Sequence, residues 1–147
     1  MKMIAVAMLA LAAGILPAHA GERVTGADLL EIRGVIHRQI EAFRRDDASG
    51  AFALASPGVQ QAFGNPQAFL EVVRMAYRVM YRPAEVSFRD PMILSGDVVQ
   101  QVQLKDRAGG VWLAYYSMQR QGDGSWRTNG CHLVQPARIY SASLAQQ

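Results

Sequence analysis

Cysteine is almost missing from these 147 residues: there is one, Cys131. A single thiol cannot close an internal disulfide, so it is either buried and inert, reactive, or used between chains. Histidine is nearly as scarce. Of three copies, His19 lies in an apolar leader, which leaves His37 and His132. No H-x-H, H-E-x-x-H or paired-cysteine spacing accompanies them, and zinc asks for three or four such ligands, so neither a metal nor another cofactor is expected. Ser56 sits in "ASP" with no G-x-S-x-G elbow, which argues against a serine hydrolase. Lysine occurs only at Lys2 and Lys105. The formal charge is +3, and +2 once Lys2 is set aside, a balance too slight to argue for nucleic acid or an anionic membrane surface.

Long hydrophobic runs are also lacking after the first twenty residues. Met1 and Lys2 precede an apolar stretch from Met3 to Leu16, then Pro17 and Ala18-His19-Ala20. A positive start, a short apolar centre and an A-x-A end have the layout of a secretory signal peptide. The apolar stretch is about 14 residues, short of the roughly 20 that span a bilayer. Gly21, not cysteine, follows the expected cut, so no lipid anchor is indicated. The expectation is a signal peptide at 1–20, one domain at 21–135 and a polar tail at 136–147. The protein would then be periplasmic or secreted, with no membrane span after cleavage.

Two segments have helical period. Thr25-Gly26-Ala27-Asp28 has the spacing of a capped helix start. From there Leu29, Ile32, Ile36, Ile40 and Phe43 form one apolar stripe, with Glu31, Arg38, Glu41 and Arg45 opposite. Asp46 and Asp47 end this helix, and one of them caps a short second helix in "GAFALAS", which Pro57 is expected to close. "SPGVQQAFGNP" then reads as a turn and a brief helical segment broken at Gly64, and Asn65-Pro66 starts another helix. Its apolar face reads Phe69, Val72, Val73, Ala76, Tyr77 and Met80, and it runs on to Pro83.

Beyond Pro83 the period changes to that of strands. "AEVSF", "VVQQVQL", "VWLAYYSMQ" and "WRTNGCHLV" are β-rich runs, joined by "DPMILSGD", "KDRAGG" and the hairpin signal "GDGS". Helices first and antiparallel strands afterwards predict an α+β domain, with N-terminal helices packed on a curved four-stranded antiparallel sheet. In "WRTNGCHLV" strict alternation mixes polar and apolar residues on both faces. One extra residue at Gly130 repairs this, since glycine favours a bulge. Trp126, Thr128, Cys131 and Leu133 then share the inner face, and His132 faces away from Cys131.

The segments "IHRQIEAFRRDD", "AFALASPGVQQAF", "FLEVVRMAYRVMYRP" and "YSMQRQGDGSWRTNGC", in that order, resemble a family of exported bacterial domains known as domain of unknown function 4864. The resemblance implies a single periplasmic or secreted domain and carries no activity to any residue. The helix-then-sheet order is also similar to nuclear transport factor 2-like cones, in which helices cover a curved sheet and enclose a pocket.

Three functions fit this reading. The favoured one is a non-catalytic module that binds a small apolar or aromatic ligand, or another protein. "VWLAYYSMQ" points that way, because both of its faces are apolar: Trp112, Ala114, Tyr116 and Met118 on one, Val111, Leu113 and Tyr115 on the other. Tyr77, Tyr115 and Trp126 are the expected pocket residues, with His37 at the edge of the first helix's stripe. The first alternative is an acid–base enzyme of the isomerase or dehydratase type. It would use His37 or a carboxylate among Asp46, Asp47 and Asp90, with a tyrosine (Tyr77, Tyr81, Tyr115 or Tyr116) donating to a ligand carbonyl. The second is a structural protein that pairs as a homodimer through the sheet face. Arg74, Arg78 and Arg82 read as a solvated helix face rather than an anion site.

Overall fold

A computed structural model describes residues 23–94 and 97–136. The leader expected at 1–20 and nearly all of the tail expected at 136–147 lie outside the described residues. Helix α1 (Gly26–Arg44) begins as its first residues predict. Thr25 Oγ1 accepts from the Asp28 N–H at 3.2 Å, and Asp28 Oδ2 accepts from the Thr25 N–H at 2.7 Å. Its buried face holds Ile32, Val35, Ile36, Ile40 and Phe43, and also one polar residue, Gln39. Asp46 then turns the chain with φ +55°, a left-handed conformation that aspartate tolerates better than most residues.

Asp47 caps α2 (Ala48–Ala53) by accepting from the Gly50 N–H at 2.9 Å. Pro57 does not close this helix as expected. It opens α3 (Pro57–Phe63), capped by Ser56, because proline at a first helical position gives up an N–H that has no partner there anyway. Gly64, at φ +82°, ends α3, and Asn65 caps α4 (Pro66–Ala76).

The long helix expected up to Pro83 is in fact two. Tyr77 leaves helical geometry at φ −126° and ψ +48°, and α5 (Arg78–Tyr81) starts afresh beyond it. The packing partners differ accordingly. α4 lies against α2 and α3, whereas α5 lies against α1 and the sheet. Leu70 is therefore buried in α4, while Val72, expected inside, is 38% exposed.

The strands are β1 (Glu85–Phe88), β2 (Met92–Leu94), β3 (Asp97–Lys105), β4 (Val111–Arg120) and β5 (Trp126–Val134), all antiparallel, in the order β1-β3-β4-β5 with β2 also on β3. The expected four strands are thus five. β1 and β2 are two pieces of one edge, broken at Arg89-Asp90-Pro91, where Pro91 has no N–H to give to a ladder. Between them Arg89 still donates to the Gln101 carbonyl at 2.9 Å.

Alternation sends Val98, Gln100, Val102 and Leu104 of β3 inward, with Ala114, Tyr116 and Met118 of β4 beside them. Between β4 and β5 the register slips: Ser117 faces Gly130 and Met118 faces Thr128, which leaves Asn129 as the additional residue. The bulge falls where Gly130 predicts it, and Cys131 and Leu133 join the inner face opposite Tyr116 and Ala114. The far edge of β5 is not left open along its whole length. The Ser56 N–H donates to the Thr128 carbonyl at 2.8 Å, and the Thr128 N–H to the Leu54 carbonyl at 3.0 Å, which ties the helical layer to the sheet.

Candidate functional site

Because α4 rests on α2 and α3 rather than on the sheet, space is left between it and the inner face of β4 and β5. The result is an apolar cavity of about 230 Å³. Phe43 of α1, Val59 and Phe63 of α3, Phe69, Val72 and Val73 of α4, then Tyr77 and Met80, form its helical walls. Tyr116, Thr128, Gly130 and Cys131 form the sheet side, with Gln39 between the two layers. Phe69 is the hub of the aromatic wall: its ring centroid lies 5.2 Å from Phe63, edge-on, and 5.7 Å from Phe43, tilted. These are the spacings at which aromatic pairs attract.

Among the buried polar side chains at the cavity, Gln39 and Thr128 differ from Tyr116. Gln39 Nε2 donates to the Ala51 carbonyl and to Thr128 Oγ1, each at 3.0 Å. Thr128 Oγ1 in turn donates to the Leu54 carbonyl at 3.3 Å. That pair is occupied in holding α1, α2 and β5 together. The Tyr116 hydroxyl is different. The residue is 1% exposed, and its hydroxyl is buried without a hydrogen-bond partner. A buried polar group left alone loses its hydration with no return, so such groups are rare outside places with a purpose. Burial also holds the Tyr116 phenol well above its ordinary pKa and pushes the Cys131 thiol up to about 12. Both are neutral at physiological pH.

The expected site residues separate. Tyr77 lies on the cavity, at the break between α4 and α5. Tyr115 does not, because alternation along β4 turns it to the outer face beside His132 and Gln101, and its neighbour Tyr116 points inward instead. Trp126 is buried but away from the cavity. Its indole N–H donates to Asp28 Oδ1 at 3.0 Å, and the Arg120 guanidinium stacks 4.9 Å from its ring. Trp126 thereby fastens β5 to the start of α1, and its N–H is the first of several donors that hold the Asp28 carboxyl well below the usual range. His37 is exposed on the outside of α1, in a shallow groove with Arg38, Glu41 and Asp47.

The carboxylates weighed for acid–base work are also elsewhere. Asp46 accepts from the Tyr81 hydroxyl and from Arg82, Asp47 caps α2, and Asp90 is exposed. Among the described residues no carboxylate, imidazole or cation lines the cavity, and no group of three potential metal ligands forms. Gln39 was not among the expected residues, although a polar residue on an otherwise apolar helical stripe was a signal available to find it. The arrangement is an apolar space with no charged side chain at it among the described residues.

Comparison with known proteins bears on the fold. The structure of Aln2 from a Streptomyces species is similar at a TM-score of 0.50 and 15% identity, over 80% of this chain and 97% of that one. A structure from Catenulispora acidiphila gives 0.48 and 15%, over 78% and 96%. No curated protein matches the chain. Residues 25–140 match the family described as "Domain of unknown function (DUF4864)", and the chain belongs to that family.

Proposed function

We propose that the protein is an exported, non-catalytic binding module that holds a small apolar ligand between its helices and its sheet. The observation that carries this reading is the cavity of about 230 Å³ with its wall of aromatic and aliphatic side chains. An apolar cavity of about 150 Å³ is already enough to admit benzene. The arrangement of helices over a sheet that encloses a pocket supports placing the fold beside the nuclear transport factor 2-like cones. Those cones include enzymes, but fold alone is a weak warrant for activity. The ionisable side chains at this cavity are Tyr77, Tyr116 and Cys131. With Tyr116 and Cys131 held neutral, neither is suited to take a proton from a substrate at pH 7.

Export rests on the layout of residues 1–20. Native mass spectrometry of protein purified from its own cells tests location and ligand together. A mature chain beginning at Gly21, with a neutral small molecule bound at one per chain, is the expected result. An intact leader would overturn export, and a ligand-free chain that also ignores added toluene would overturn binding.

A second reading, pairing of two copies through the sheet, is favoured by the apolar edge. Met92, Ile93 and Leu94 are all exposed, and Tyr115 and Leu113 lie further along the outer face of the same sheet. Sedimentation velocity decides it: a dimer that Tyr115→Asp dissociates would support pairing, and a monomer at high concentration would remove it.

A further inference from the structure

The exposure of the lining residues gives the cavity a direction. Val59, Phe63, Val72 and Tyr77 are partly exposed and mark its mouth, while Phe43, Val73, Tyr116 and Thr128 are buried and mark its floor. A ligand entering between α3 and α4 therefore passes Val59, Phe63, Val72 and Tyr77 first and meets Gln39, Thr128 and Tyr116 last. At the floor, Gln39 Nε2 and the Thr128 hydroxyl are engaged with Ala51, Leu54 and each other. The Tyr116 hydroxyl has no partner. No charged side chain lines the cavity among the described residues, so an ionised ligand would be stripped of water with nothing to balance its charge.

Taking the cavity as the binding site of the preceding section, we propose that its ligand class is a compact neutral aromatic bearing one hydrogen-bond acceptor, bound acceptor-first so that the Tyr116 hydroxyl donates to it. The Phe43, Phe63, Phe69 and Tyr77 rings supply a matching wall. Burial keeps the phenol protonated, and so a donor, across the physiological range. A carbonyl at this position gives the orphaned hydroxyl the partner that the fold does not.

Three probes of one shape test this by calorimetric titration: acetophenone, α-methylstyrene, in which a CH₂ replaces the carbonyl oxygen, and benzoate. The native protein should bind both neutral probes and reject benzoate. Tyr116→Phe should weaken acetophenone by about tenfold, the worth of one hydrogen bond, and leave α-methylstyrene unchanged or tighter. If Tyr116→Phe affects both neutral probes alike, or benzoate binds as well as acetophenone, the assignment of ligand class is overturned while binding in the cavity stands. If neither neutral probe binds, the binding reading itself falls, and this one with it. Should Tyr116→Phe not fold, the infrared carbonyl stretch of acetophenone on the native protein replaces it. A frequency below that in a hydrocarbon solvent is the expected result, and an unshifted one overturns the proposal.

Discussion

At Cys131 the loss of hydration outweighs the one backbone hydrogen bond, involving Tyr115, that favours the thiolate, and the thiol stays neutral up to about pH 12. Its unfolded counterpart ionises near 9.0. The folded state therefore keeps its full advantage from this group below pH 9 and loses it progressively as pH rises toward 12. Reactivity follows the same sign. At pH 8 iodoacetamide should modify the native protein at least about a hundredfold more slowly than the urea-unfolded chain, because the thiolate is the nucleophile. Equal rates would mean that Cys131 is not held as described. Cys131 beside His132 looks like a nucleophile with its base when read as letters. Alternation after the bulge separates the two side chains to opposite faces, which the glycine made legible in advance. The same logic left Tyr115 and Tyr116 ambiguous, since both faces of their strand are apolar and parity alone does not say which one looks at the helices.

Among the elements, the turn of β5 at Gly130 decides which side chains reach the cavity. Gly130 has φ +156°, and a Cβ there would lie 3.3 Å from Ser117 Oγ. Gly130→Ala is therefore expected to destabilise by about 1–2 kcal/mol, from backbone strain and a tight contact. Gly58→Ala in α3, with nothing within 4 Å of the added methyl, should instead stabilise by about 0.4–1 kcal/mol by restricting the unfolded chain. Chemical denaturation of the two variants side by side checks both signs. A Gly130→Ala protein as stable as the parent would contradict the bulge. Two element boundaries were not legible, although the short helix ending at Gly64 was expected. Pro57 suits the end of one helix and the start of another equally well, and Ser56 as a cap is what settles it. The break at Tyr77 is hidden because the apolar spacing continues across it. Only the split in packing, α4 on α2 and α3 but α5 on α1 and the sheet, accounts for two helices.

For the molecule as a whole, the order of helices followed by strands was enough to anticipate a helical layer on an antiparallel sheet. A pocket between the two layers was expected as well, but not its lining, because it opens where α4 stands away from β4 and β5, a tertiary outcome with no local signature. Of the residues expected to line it, Tyr77 reaches it by position at the helix break, whereas Trp126 is drawn off by Asp28 and His37 stays on the solvent side of α1. Uptake of a neutral aromatic molecule into this space is what the proposed function requires. It is tested most directly by following backbone amide resonances of isotope-labelled protein while toluene is added. Saturable shifts concentrated at Val59, Phe63, Val73, Thr128 and Cys131 are expected, with Tyr115 and His132 on the outer face unmoved. No shifts up to the solubility limit of toluene, or shifts confined to the outer face, would contradict it.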